Sequence, residues 1–412
     1  MSERPTRFCL VTTFYPPHNL GGDGIAVRRL AVALAERGHH VEVVHCTDAF
    51  DAVRTSDVPV ADTYDDHPAV VHHGLRSGVG ALSPLLTQQT GRPVLKRRAL
   101  QRILGGSAFD VVHFHNTSLI GLTALSYSAA KILYTMHDHS LVCPMHVLWR
   151  NNREPCATRT CTRCQLHGRR PPQLWRHSAL RDRAVRHVNA FIAPSEFTRA
   201  KHRELGFEPD APIEHIPNFL PDAPAPTVMT PRQHPRPYYL YVGRLERIKG
   251  PHVAVRAFQR FKDADLLIAG AGNETATLRE SADGYPHIHF LGQLPSTQLE
   301  SLMREAIAVI VPSVGYEVFP TTVLEANAQG TPVIGHRLGP LPEMLDGRGG
   351  STYETDDELI AALVRLQSDP EYRAMLGARG RSEYLGKWTP ERHLERYFAL
   401  IHSLQPESRP FA

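Results

Sequence analysis

The sequence predicts an α/β protein built from two Rossmann-like, doubly wound domains joined by a short linker. Three observations predict it. The chain has 412 residues, more than one hydrophobic core usually supports, so two domains of roughly 200 residues each are expected. A strand, a glycine-rich turn, a helix and a second strand follow one another at the start, and the same alternation resumes past the middle. Between the halves, Pro221, Pro224, Pro226, Pro231, Pro235 and Pro237 fall within 17 residues, a density that neither a helix interior nor a central strand tolerates.

The first half opens with an apolar, β-prone run from Phe8 to Thr12. Gly21, Gly22 and Gly24 interrupt it, Ile25 to Arg37 has helical spacing that stops at Gly38, and Val41 to His45 reads as a second strand. Such a βαβ unit implies parallel pairing, because a parallel neighbour needs a crossover of a dozen or more residues. Further strands are expected at Val111 to Phe114, Lys131 to Thr135 and Ala190 to Ala193, separated by helices or loops. In the second half, strands are expected at Tyr239 to Val242, Leu266 to Ala269, Ile288 to Leu291, Ala308 to Val311 and Pro332 to Gly335. Helices are expected from Pro251 to Phe261, Ser296 to Arg304 and Phe319 to Ala328. Finally, Pro390 to Leu404 places Leu394, Tyr397, Phe398 and Ile401 on one helical face, the pattern of an amphipathic helix docked on protein. The expected organisation is an N-terminal domain at 1–220 with a cysteine-bearing insertion at 143–164, a linker at 221–237, a C-terminal domain at 238–388, and a terminal helix and tail at 389–412 that dock back.

Hydrophobic residues make up 42% and charged residues 21% of the chain, an ordinary globular balance. The net charge of +4 comes from arginine-rich local segments, which does not make a nucleic-acid footprint but suits small anionic partners. Residues 1–7 are polar and lead straight into a strand, without the apolar stretch and small-residue cleavage site of a signal peptide. No apolar run approaches the roughly 20 residues that span a bilayer. The expected compartment is the cytoplasm, with transient membrane contact left open. Open α/β sheets bind ligands beyond the carboxyl ends of their strands, at switch points, so the active site is expected in the cleft between domains.

Two strand-following segments carry the chemistry. Tyr241-Val-Gly-Arg-Leu-Glu-Arg-Ile-Lys-Gly250 places Arg244 and Lys249 on the loop after a strand, with Gly243 at its start. A forked guanidinium and a compact ammonium together suit a diphosphate whose charge grows as it leaves, although a merely solvated loop also carries such cations. Pro312-Ser-Val-Gly-Tyr-Glu317-Val-Phe-Pro-Thr-Thr-Val-Leu-Glu325-Ala also follows a strand and runs into a helix. With a helix beginning near Phe319, Glu317 lies beside its N-terminus and Glu325 about two turns inside, and each carboxylate can accept hydrogen bonds from sugar or ribose hydroxyls.

Across nearly its whole length the chain resembles the family 4 glycosyltransferases, which have the GT-B fold and transfer sugar with retention. The resemblance implies that Arg244 and Lys249 bind the donor diphosphate, that Glu317 binds donor-sugar hydroxyls, and that Glu325 binds the ribose. It implies too that the Gly21–Gly22 loop approaches the donor phosphates and the acceptor. His137, in Thr135-Met-His137-Asp138 at a strand end, corresponds to a histidine close to the transferring sugar. Members often have Glu-Gly-Phe-Gly where this chain has Glu317-Val-Phe-Pro320. Pro320 has no N–H to offer the diphosphate, which leaves the amides of Val318, Phe319, Thr321 and Thr322 and puts donor identity in question. The implied reaction moves a sugar from a nucleotide-diphosphate donor to a hydroxyl- or amine-bearing acceptor, in natural-product or glycan biosynthesis, without a catalytic metal. A same-fold phosphorylase or synthase, or a non-catalytic nucleotide-sugar binding protein, remains the alternative.

Cys143, Cys156, Cys161 and Cys164 have the spacing C-x12-C-x4-C-x2-C. In a reducing compartment four clustered thiols favour metal over disulfides, and a closed tetrathiolate is a structural zinc site. An iron–sulfur cluster and free or paired thiols are the alternatives. The segment His137-Asp-His-Ser-Leu-Val-Cys143-Pro resembles a subset of the same family in which a His-Asp-x4-Cys-Pro run precedes three more cysteines. The neighbouring Arg150, Arg153, Arg159, Arg163, Arg169 and Arg170 form either a basic acceptor surface or a solvated one.

Overall fold

The computed structural model describes residues 4–54, 64–106, 109–221 and 234–404. The chain divides into two compact units. The first comprises Met1–His146, Thr160–Pro217 and Leu394–Ala412; the second comprises Val147–Arg159 and Asn218–His393. Most of the proline-rich linker, residues 222–233, lies outside the described residues.

In the first unit the strands are β1 (Arg7–Val11), β2 (His40–Cys46), β3 (Val70–Leu75), β4 (Val111–Phe114) and β5 (Lys131–Thr135). A two-residue hairpin of the second unit, β6 (Trp149–Arg150) with β7 (Glu154–Pro155), interrupts the series before β8 (Ala190–Ala193) and β9 (Ile213–His215). The seven strands of the first unit pair in parallel in the order β3-β2-β1-β4-β5-β8-β9. The second unit has β10 (Tyr238–Val242), β11 (Asp265–Ala269), β12 (Ile288–Gly292), β13 (Val309–Val311), β14 (Val333–His336) and β15 (Gly350–Tyr353). They form a parallel sheet in the order β12-β11-β10-β13-β14-β15. In each sheet the first strand has neighbours reached by chain running in opposite directions, which makes a switch point between β1 and β4 and another between β10 and β13.

Apart from the edge strand β12, the strands read from sequence lie inside their sheets, where cover on both faces makes the composition a largely apolar run. On β10 the alternation is explicit: Tyr239 and Tyr241 enter one core cluster, Tyr238 and Leu240 the other. Strands β3, β9 and β15 have no counterpart in the sequence reading, and all three are sheet edges. An edge strand is half solvated, so Val-Val-His-His-Gly-Leu and Gly-Ser-Thr-Tyr lack the apolar run that marks a central strand. Two helix starts also differ from expectation. The first helix is Gly22–Glu36 and begins at the second glycine, with Gly21 at φ 139° as its N-cap. The helix after β13 is Thr321–Ala328, because Pro320 sits at its N-cap instead of inside it. Glu325 is consequently about one turn inside that helix, not two.

The last helix, Pro390–Ser403, has its residues from Leu394 onward in the first unit. There Tyr397 is fully buried and lies within 6.2 Å of the Phe8 ring by centroids. Its hydroxyl meets His113 Nδ1 at 3.0 Å, while His113 Nε2 meets Thr135 Oγ1 at 2.7 Å, tying the helix to β4 and β5. Lys131 Nζ donates to Ile401 O (2.9 Å), near the helix's carboxyl end, where a cation is favoured. Among the described residues no helix is long and apolar enough to cross a membrane.

Tyr397→Phe removes only the hydroxyl contact and should cost the first unit about 0.5–1.5 kcal/mol. Tyr397→Ala also opens a cavity against Phe8 and should cost about 3–5 kcal/mol. Denaturant melts read by probes in each unit check both values; a Tyr397→Ala protein as stable as the parent would contradict the docking.

Candidate functional site

In the second unit the two segments singled out by sequence lie at the carboxyl ends of β10 and β13, on either side of the switch point. Backbone hydrogen bonds fasten them together: the N–H groups of Val314 and Gly315 both donate to Ile248 O, at 3.0 and 3.1 Å. Gly250 makes this approach possible. It has φ 70°, and a Cβ there would lie 1.9 Å from Pro312 O. The loop after β10 is also pinned from the other side, by Leu245 N donating to Ala271 O and Glu274 N donating to Leu245 O.

This apposition places Lys249 Nζ 2.7 Å from both oxygens of Glu317, whose Oε1 also accepts from Ser313 Oγ at 2.7 Å. The Glu317 side chain is 15% exposed and that of Lys249 29%. Burial alone would raise the Glu317 carboxyl, but the Lys249 charge and hydrogen bonds, with help from Ser313 and Arg244, outweigh it and hold the group below the ordinary carboxylate range. Arg244 reaches further into solvent and pairs with Glu246 (2.6 Å), while its carbonyl accepts from the buried Tyr241 hydroxyl (3.0 Å). Gly243 N donates to Ala269 O, continuing the ladder one residue past the strand. Val318, Phe319, Thr321 and Thr322 surround the N-terminus of the Thr321–Ala328 helix, whose leading N–H groups have no intrahelical acceptor. Pro320, at the N-cap, supplies its carbonyl to Val323 N instead of a donor.

The first unit gathers a second polar group at the end of β1, β4 and β5. Gly21 and Gly22 open the first helix, and Asp23 follows in its first turn. Asn116, just past β4, is oriented by Thr13 Oγ1 and Ser118 donating to its carbonyl oxygen. Its amide then donates to both Asp23 Oδ2 (3.3 Å) and Asp138 Oδ2 (3.2 Å). The two carboxyls have opposite environments. Burial is the main cause that raises Asp23, to about 6, with the nearby Asp138 charge adding to it against the hydrogen bonds of Gly24 and Asn116. Asp138 is also desolvated, but His146 and the Ser140 donors overcome that and bring it to about 2. His137 Nε2 is 3.0 Å from His115 Nδ1, and the two rings stack at 5.2 Å. Sequence reasoning found His137 but missed Asp23, Asn116, His115 and Asp138. All four stand beside a strand end or a glycine turn already marked, which is the signal that could have found them.

Of the four clustered cysteines, Cys156 falls in the second unit, and Cys143, Cys161 and Cys164 belong to the first. Cys161 and Cys164 lie three apart on the helix Cys161–His167, and Cys143 is buried. Among the described residues His234, Asp265 and His289 form a metal-competent group. The backbone around the first cysteines of the insertion is irregular, with positive φ at His146, Leu148, Asn151 and Asn152.

Comparison with known proteins fits this geometry. The model for Glycosyltransferase Family 4 matches residues 20–223, and that for glycosyl transferases group 1 matches residues 229–383. Glycogen synthase of Mycobacterium tuberculosis is 29% identical over 410 residues, spanning 92% of this chain and 90% of that protein. The GDP-mannose-dependent alpha-(1-6)-phosphatidylinositol monomannoside mannosyltransferase of Mycolicibacterium smegmatis is 26% identical over 372 residues, 82% of this chain and 88% of that one. Among solved structures, sucrose-phosphate synthase from Thermosynechococcus elongatus has a TM-score of 0.71 at 20% identity, covering 97% of this chain and 99% of that one. Two Rossmann-like halves with these matches define the GT-B fold. The chain is a glycosyltransferase, an enzyme that uses a nucleotide-sugar donor.

The pH behaviour of Glu317 follows from its partner. A depressed carboxyl contributes stability that is fully present above the unfolded value of about 4.3 and is lost as pH falls through the lower folded value. Lys249→Met leaves burial to raise the carboxyl, so the acid limb of the stability curve should move to higher pH. Thermal melts across the acid range check this, and superimposable curves for parent and variant would show that the pair does not control Glu317.

Proposed function

We propose that this glycosyltransferase transfers with retention and binds its donor at the switch point of the second unit. The observation that carries the reading is the Lys249–Glu317 contact, made by two loops that no helix or strand joins. In this reading Arg244 and Lys249 hold the donor diphosphate, and the charge developing on the leaving nucleotide is what they stabilise most. Lys249 has three donors and spends two on Glu317, so a phosphate oxygen can take the third while Glu317 keeps its place. Glu317 then orients donor-sugar hydroxyls, Glu325 the ribose, and the amides around Thr321 and Thr322 the phosphates. With Pro320 at the N-cap, donation moves to the residues on either side of it.

The first unit supplies the acceptor side. The Gly21–Gly22 turn allows close approach, His115 orients His137 toward the transferring sugar, and Asp23 faces the acceptor hydroxyl or amine. Asp138 remains ionised while Asp23 exchanges its proton near pH 6, so the pair divides into a fixed anion and a titrating group. Retention fits a front-face displacement in which the leaving phosphate takes the acceptor proton. Donor sugar and base are open among UDP, GDP and ADP derivatives, and an acceptor in natural-product or glycan biosynthesis is the class we favour. A structural zinc on Cys143, Cys156, Cys161 and Cys164 belongs to the same proposal, and no step of the transfer requires it.

The test begins with a thermal-shift screen of UDP-, GDP- and ADP-sugars, since a ligand of the native state raises its stability with occupancy. Nucleotide diphosphate release is then measured with candidate acceptors. Arg244→Ala and Lys249→Ala should each lower kcat by about 10² or more, on the scale of losing an electrostatic stabiliser. Unchanged turnover in both would end the assignment, and a ligand shift without release would favour a sensor. Inorganic phosphate or a sugar phosphate serving as acceptor would favour the phosphorylase or synthase alternative.

Asp23 gives a separate prediction. Its raised value means it ionises as pH rises through about 6, so kcat/KM should climb over that range and Asp23→Asn should lose the limb. A variant with the parent's profile would remove Asp23 from the acceptor side.

A further inference from the structure

At the amino ends of the strands in the second unit, opposite the donor loops, lies a group that the transfer reaction does not use. Asp265 is the first residue of β11, and its side chain is 4% exposed. Two imidazoles from separate parts of the chain converge on one of its oxygens. His234 Nε2, from the segment entering β10, is 2.7 Å from Oδ2, and His289 Nε2, from β12, is 3.2 Å from the same atom. The ligand atoms of all three residues lie within 4.8 Å of one another. The other carboxylate oxygen, Oδ1, faces Arg236 Nη1 at 3.0 Å, and Arg236 is itself held by donating from Nη2 to Lys262 O.

We propose that His234, Asp265 and His289 form a binding site for a borderline divalent cation such as Zn²⁺ or Co²⁺. Two imidazole nitrogens and a carboxylate oxygen are a three-ligand set that water completes to a tetrahedron, with metal–ligand distances of about 2.0–2.2 Å. Atoms about that far from a shared ion stand roughly 3.2–3.5 Å apart at the tetrahedral angle, so the 3.2 Å between His289 and Asp265 is already near that spacing. Arg236 sits on the oxygen that the histidines do not address and supplies a charged outer partner of the kind a ligating carboxylate commonly has. The His234 and His289 side chains are 22% and 38% exposed, so an ion can enter from solvent while the anionic ligand stays covered.

The position gives the ion a structural role. Bound there, it would fasten the chain entering β10 to β11 and β12, on the side of the sheet away from Arg244, Lys249 and Glu317. Asp265 belongs to the Asp263-Ala-Asp265 run that resembles the cation-binding motif of metal-dependent transferases, yet it precedes a strand where that motif would follow one. The histidines give the same carboxylate a different use.

The experiment is a Co²⁺ titration of the full chain stripped with chelator, followed by visible absorption and thermal melting. An equivalent, distinct from anything the cysteines take up, should bind with weak visible bands unaccompanied by a near-ultraviolet thiolate charge-transfer band, and the melting temperature should rise with Co²⁺. His234→Gln and His289→Gln change exposed side chains; each should retain the metal-free melting temperature and the nucleotide-sugar response. Each should weaken Co²⁺ binding by at least the ~10-fold that losing a supporting partner costs. Absence of binding, equal affinity in both variants, or a spectrum carried only by thiolate bands would overturn the site.

Discussion

The contact between Lys249 and Glu317 organises the loops at the carboxyl ends of β10 and β13. Lys249 ends the single 3-10 turn Arg247–Lys249 after β10, and Glu317 lies in the loop after β13, so no one element carries both. The pair forms because β10 and β13 are adjacent in the sheet though 66 residues of chain separate Val242 from Val309. Sheet order brings the loops side by side, Gly250 lets the backbones close, and the charges then meet at 2.7 Å. The electrostatics depend on this order of causes. A partly buried carboxylate without its ammonium would take up a proton, and a neutral Glu317 would present a different face to a sugar hydroxyl. Fold and chemistry are therefore one constraint at this point.

The first unit solves a related problem with an amide and a histidine. Its switch point, between β1 and β4, has no buried lysine to balance a carboxylate. Asn116 instead divides its two amide hydrogens between Asp23 and Asp138. One amide cannot neutralise two anions, and the conflict is resolved by environment: Asp138 gains His146 and Ser140, while Asp23 is left to desolvation. Two chemically identical side chains on one amide thus come to differ in protonation across the mildly acidic range.

How far these arrangements could be read in advance depends on what encodes them. Central strands are written as apolar runs because both faces are covered, so β1, β4, β10 and β13 stood out, and with them the loops that follow. The edge strands β3, β9 and β15 did not, since solvent on one side relaxes the demand for apolar residues. Arg244, Lys249, Glu317 and His137 were legible because each follows a strand that was itself legible. Asp23 and Asn116 were not, because an acid or amide in a loop looks like any solvated turn until the sheet order places it. Pro320 marks the limit of local reading: it has no N–H wherever it stands, but only the structure shows it at the N-cap, where its carbonyl serves Val323 and the helix begins one residue later. The cysteines mark another limit: spacing along the chain speaks to proximity only where the intervening chain is regular, and residues 146–152 pass repeatedly through the left-handed region.

The terminal helix connects stability to the site in the first unit. Its Tyr397 hydroxyl engages His113, His113 also engages Thr135 at the end of β5, and the His113 ring lies 3.9 Å from that of His115. His115 in turn holds His137. The imidazole beside the proposed transfer point is thus the last member of a packed column that begins on the final helix. Each ring fixes the next through contact or hydrogen bond, so the orientation of His137 is set by side chains that no substrate touches. A helix that first reads as an amphipathic tail is in this way part of what positions His137.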